Sequence, residues 1–189
     1  MKPLLILPAA ALMIMPLTSC KDSHTASSGA DHGKHHLATY EVAGLKLELP
    51  SSPAIGDVTL PESAKPLLES FQTYKSTDGT TRVDIVHAKY KSQDASVDGA
   101  ADGAVAQLRA FPDVQSLSVN KNPVTVAGLA GRELELNYVK GGHPIHHHVL
   151  VFVRGNEMWQ IQVISEAEGS AAAAKMLKDH VFGSVNLLD

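Results

Sequence analysis

A single cysteine, Cys20, occurs in 189 residues, so no intramolecular disulfide can form and a stable fold must rest on packing. Basic charge is also in short supply. Sixteen Lys and Arg stand against 20 Asp and Glu, a formal net charge of −4, and with no basic stripe there is little to neutralise phosphates, which excludes nucleic acid as a partner. Catalytic signatures are missing as well: there is no Gly-x-Ser-x-Gly elbow, no phosphate-binding glycine loop, no second thiol and no spacing that pairs a nucleophile with its base. A hydrolase would therefore have to assemble a Ser or Asp beside a His in space. Finally, the N-terminal apolar run, "PLLILPAAALMIMPL", is broken by Pro8 and Pro16 and falls short of the roughly 20 residues a membrane-spanning helix needs.

What is present begins with that run. Preceded by Lys2, it reads as the core of a signal peptide. It ends in Leu17-Thr18-Ser19-Cys20, which resembles the lipobox of bacterial lipoproteins. The resemblance implies cleavage between Ser19 and Cys20, a lipid-modified Cys20 and anchoring by several acyl chains, palmitate-type groups among them, where one would be marginal. It also gives the lone thiol a use. Lys21, in place of aspartate, follows the cysteine, which by the same resemblance favours the outer membrane of a Gram-negative envelope, facing the periplasm. Removing residues 1–19 deletes Lys2 and no acid, so the mature formal charge becomes −5.

Residues 20–37 then form the lipidated cysteine and a tether, "KDSHTASSGADHGKHHL", too polar to offset its ordering entropy by burial. A coil of that length reaches roughly 20–25 Å. Residues 38–189, in a chain that is 44% hydrophobic, suffice for one domain with a real core. "YEVAGLKLELP" alternates through Val42, Leu45, Leu47 and Leu49 and reads as a strand ending at Pro50. A long proline-containing loop over 51–70 follows, with one helical turn at "SAKPLLES". "FQTYKS" and "TTRVDIVHAKY" read as a hairpin turning at Asp78-Gly79. Val97, Ala101, Ala104, Val105, Leu108 and Phe111 fall at helical spacing and Pro112 closes that segment. Four strands are expected in "VQSLSV", "PVTVAGL", "GRELELNYV" and "IHHHVLVFV", a fifth in "EMWQIQVIS", and a last helix in "EAEGSAAAAKMLKDHVF". The sum is an α+β domain, an antiparallel sheet with helices packed on its faces.

The order of these elements, from "YEVAGLKLELP" through the "VTVAGLAGRELEL" hairpin to "AAAAKMLKDHVFGSV", resembles the PsbP/Mog1-like α/β/α sandwich over residues 38–189. That resemblance rests on pattern and carries no shared catalytic residues. It implies a non-catalytic assembly or binding module with an envelope protein as partner, alongside the membrane reached through Cys20.

The remaining signal is histidine. "GGHPIHHHV" places His143, His146, His147 and His148 within one short stretch. If Gly141-Gly142 is a two-residue turn, Leu136 faces His147, Asn137 faces His146 and Glu135 faces His148. His147 then lies with Leu134, Leu136, Ile145 and Val149, as a half-buried, hydrogen-bonded imidazole. His146 and His148 share the opposite face with Glu135, a donor set suited to Zn²⁺ or Cu²⁺. The same face continues into Leu150 and Phe152, so these histidines also read as the polar end of a covered sheet. A one-residue slip in the turn would dissolve the metal trio. In the tether, His24, His32, His35 and His36 form a second, weaker metal-binding hint, or a polar spacer that titrates near pH 6.

Overall fold

The computed structural model describes residues 37–57, 60, 62, 64–91, 94–166 and 171–188. The leader, Cys20 and the tether, with His24, His32, His35 and His36, lie outside them. The first two elements are β1 (Ala38–Val42) and β2 (Leu45–Leu49), joined by a turn at Ala43-Gly44, both at positive φ. This corrects the single strand expected there: Val42 and Leu45 are three residues apart, and that break in the two-residue period is the turn. Short β3 (Ala54–Ile55) and a 3₁₀ turn at Lys65–Leu67 interrupt the loop that follows.

Strands β4 (Leu68–Asp78) and β5 (Thr81–Tyr90) form the expected hairpin, with Asp78 already paired to Thr81 and the turn made by Gly79-Thr80. Helix α1 (Val97–Ala110) starts at Ser96, whose hydroxyl accepts from the Gly99 amide at 3.1 Å, a capping bond that satisfies one orphan donor. Strand β6 (Val114–Val126) replaces two expected strands. Polar Asn120, Lys121 and Asn122, followed by Pro123, suggested a break, but β6 is the outer strand of its sheet. An outer strand tolerates proline and polar side chains because one side of its backbone has no neighbour. Strands β7 (Leu129–Lys140), β8 (His143–Arg154) and β9 (Glu157–Ser165), helix α2 (Ala171–Gly183) and short β10 (Asn186–Leu187) complete the chain.

Seven strands run in the order β3-β4-β5-β9-β8-β7-β6, and β1-β2-β10 make a second, smaller sheet. Alternating side chains divide the large sheet into two cores. Leu134, Leu136, Val149 and Val151 pack with Ala101 and Val105 of α1. On the other face Leu150, Phe152, Trp159 and Ile161 pack with Leu177 and Val181 of α2 and with Leu45, Leu47 and Leu49 of β2. One helix therefore lies on each face, the arrangement expected of an antiparallel sheet covered on both sides.

Candidate functional site

The register of the β7–β8 hairpin fixes every side chain around the histidines. Gly141 and Gly142 stand at φ 57° and 86°, the left-handed pair a tight two-residue hairpin demands. The pairing follows: Leu136 with His147, Asn137 with His146 and Glu135 with His148. The β8–β9 turn at Gly155-Asn156 likewise sets Phe152 against Trp159 and His148 against Val163.

His146 donates from Nδ1 to Asn137 Oδ1 at 2.8 Å, while Asn137 Nδ2 reaches Glu135 Oε1 at 3.5 Å. His148 is buried, and its Nδ1 has no hydrogen-bond partner among the described residues. Burial holds its pKa below the ordinary imidazole value, helped by the nearby Lys178 ammonium and opposed by Glu135 and Glu133. Lys178 itself is held by Glu133 at 3.0 Å and by Asp179 at 2.6 Å. Thus His146, His148 and Glu135 share one face and one stretch of register, yet among the described residues no three His, Cys, Asp or Glu side chains gather into a metal-holding group.

The opposite face, beneath α1, holds a denser polar cluster. Arg82 and Asp84 of β5, Gln160 and Gln162 of β9 and His147 of β8 all project there. Asp84 is fully buried, with Oδ2 accepting from Arg82 Nε at 2.8 Å and Oδ1 without a hydrogen-bond partner among the described residues. Burial raises the Asp84 pKa, outweighing the pull of Arg82 and Lys75 in the other direction. His147 is pushed down to about 3 by burial, so it is neutral at physiological pH. Its Nε2 donates to Gln162 Oε1 at 2.9 Å, which leaves Nδ1 an acceptor, buried and without a partner among the described residues. Burial pushes Tyr138 up to about 12, so its phenol stays a neutral O–H donor.

His147, Gln160 and Gln162 floor an open cleft whose walls are Ala104, Leu108 and Phe111 of α1 and Ile164 of β9. Arg82, Lys140, Tyr138 and Gln107 also line it. Lys140 stands 4.8 Å from the centre of the Phe111 ring and 3.9 Å from the half-exposed Asp113 carboxylate. An apolar hollow with a few converging polar groups is the usual form of a small-molecule site.

Sequence reasoning placed His147 correctly among apolar neighbours but missed the cleft. "TRVDIV" and "WQIQV" alternate polar with apolar residues as solvent-facing strands do, and only α1 turns that face into an interior. The available signal was that β5 and β9 are central strands, flanked on both sides in the sheet order. Polar residues on both of them pointed to something shared.

Together these elements define an α+β domain in which an antiparallel sheet carries a helix on each face. The fold is PsbP-like. No family model matches the chain, and no curated protein matches it. Among solved structures it is similar to cyanobacterial PsbP (CyanoP) from Synechocystis sp. PCC 6803, with a TM-score of 0.57 and 18% identity over 85% of this chain and 98% of that one. It is also similar to LpqN, described as involved in cell envelope biogenesis of Mycobacterium tuberculosis, with a TM-score of 0.53 and 13% identity over 82% of this chain and 92% of that one. At such identities the likeness is one of fold.

Proposed function

We propose that this protein is a cell-envelope lipoprotein acting as a non-catalytic binding module, tethered through Cys20 and receiving its ligand in the cleft beneath α1. The cleft carries the reading. Its lining offers hydrogen-bond donors, two cations and apolar walls, with no serine, threonine or cysteine among the residues that line it, a set suited to holding a molecule rather than transforming it. The lipobox at Leu17–Cys20 supports the anchor, and the involvement of a fold neighbour in envelope biogenesis supports the setting. No helix among the described residues is long and apolar enough to cross a membrane.

The anchor is tested by expressing the full chain and Cys20→Ala with radiolabelled palmitate. The parent should carry label and sediment with membranes, and the variant should lose the label and enter the soluble fraction. An unlabelled parent, or a variant that still sediments, rejects the lipoprotein reading.

A second reading, metal handling through His146 and His148, has one observation in its favour. The Nδ1–H bond from His146 to Asn137 fixes the tautomer that presents Nε2 to a metal. Zn²⁺ or Cu²⁺ titrated into the protein should then bind more tightly than about 10 μM and be lost in His146→Ala plus His148→Ala. Binding that is absent or unaffected by the double substitution rejects it.

A further inference from the structure

The lining of the cleft narrows its ligand to one chemical class. Among the lining side chains there is no carboxylate, while Arg82 and Lys140 are cationic and Tyr138, Gln107, Gln160 and Gln162 offer O–H or N–H donors. The two cations are not equivalent. Arg82 is tied to the buried Asp84 at 2.8 Å, so its charge is already answered from behind. Among the described residues Lys140 has only Asp113 as an ionic partner, at 3.9 Å and on a carboxylate that is half exposed, and such a pair is screened and weak. Lys140 also lies over the Phe111 ring, which keeps its ammonium at the point where the apolar wall meets the polar floor. Ala104 and Leu108 carry the cleft wall along α1 away from Phe111, while Ile164 stands between Arg82 and His147 on neighbouring strands. His147 adds one buried acceptor, Nδ1, that no described residue fills.

We infer that the cleft takes a single-chain anionic amphiphile, its carboxylate or phosphate head received by Lys140 with Arg82 and Tyr138 around it, and its hydrocarbon chain laid along Leu108 and Ala104 of α1. A hydroxyl next to the head would find its acceptor in His147 Nδ1. This inference rests on the cleft being the binding site of the module proposed above. It specifies what the module carries: a charged lipid-like molecule that needs an apolar sleeve to leave a membrane and a cation to hold its head. Charge at the head supplies selectivity, and the apolar walls supply the larger share of the affinity.

The test uses the whole chain from residue 20 with Cys20→Ala, so that an acyl anchor does not compete for the cleft. Every described element lies beyond residue 36, so none is removed. Octanoate, octyl phosphate, octan-1-ol and octylammonium are titrated at pH 7.5 by calorimetry, with backbone amide shifts locating the site. The two anions should bind at least about tenfold more tightly than octylammonium, and Lys140→Gln should weaken octanoate by about tenfold while leaving octan-1-ol unchanged. Lys140→Arg should restore most of the loss, which separates charge from packing. Equal binding of all four heads would overturn the anionic preference and leave the cleft as a binding site. A preference for anions that survives Lys140→Gln, or shifts confined to other strands, would place the head elsewhere and overturn the assignment. No binding and no shifts at β7, β8 or α1 would remove the cleft from the proposed function altogether.

Discussion

Arg82→Met should lower the stability of the domain by about 3–5 kcal/mol at neutral pH, because it strands a fully buried carboxylate. The cost comes from Asp84, which has no exposure to water and is ion-paired with Arg82 Nε at 2.8 Å. Methionine keeps most of the aliphatic stem and its packing, so the loss reports the charge. The pH dependence follows from the direction of the Asp84 shift. Its folded-state pKa is raised above the ordinary carboxylate value by burial, so its contribution to stability is complete below that value and declines as pH rises through the raised one. Removing Arg82 raises it further. The gap between variant and parent should therefore be small in acid, where Asp84 is protonated in both, and reach its full size above the raised pKa. Arg82→Met with Asp84→Leu should recover most of the loss, since replacing both members of a buried pair is far cheaper than removing one. Urea unfolding followed by the fluorescence of Trp159, the only tryptophan, measures all three proteins. A gap that is constant with pH, or a double variant no more stable than Arg82→Met, would mean that the pair is not what the arginine secures.

That buried pair also marks where the sequence stopped being legible. Turn chemistry was readable: Gly141-Gly142 fixed the pairing of β7 and β8 residue by residue, because a two-residue hairpin has one register. Helix α1 was readable from its apolar spacing and from Pro112. Where local signals were ambiguous the reading failed, at the Ala43-Gly44 turn hidden inside an almost regular alternation, and at β6, where an outer strand tolerates what a central one would not. The cleft failed for a different reason. Arg82, Asp84, Gln160 and Gln162 occupy positions that a two-residue period assigns to solvent. Their burial is decided by α1, which packs on them from a distance in sequence that no local pattern encodes. The histidines illustrate both cases: their faces were legible from the turn, while the engagement of His147 with Gln162 and of His146 with Asn137 depended on side chains from neighbouring strands.

Trp159→Ala should cost about 3–5 kcal/mol, the usual range for emptying a large aromatic site in a core, and the loss should fall unevenly across the molecule. Trp159 is 1% exposed and stands in a ladder of rings, 5.5 Å from Phe152 and 5.0 Å from His87, both near-parallel to it. Its indole Nε1 donates to the Ala43 carbonyl at 2.8 Å. That bond joins β9 of the large sheet to the turn between β1 and β2, where Ala43 sits at φ 54°, a conformation a non-glycine residue adopts only under tertiary constraint. One side chain thus fills the second core and holds the strained turn that brings Leu45 and Leu47 onto it. Trp159→Phe separates the two roles: most of the ring packing survives, but a part-buried carbonyl loses its donor, at about 1 kcal/mol. Because both variants remove the fluorescent reporter, unfolding is followed by circular dichroism and local opening by amide hydrogen exchange. Protection should fall first at Leu45 and Leu47 in β2, with the central β5–β9 ladder keeping more of its own, since its strands are still paired on both sides. If exchange rises uniformly, or the alanine variant loses less than about 1 kcal/mol, the small sheet is held by its own apolar contacts, and the tryptophan is only one of them.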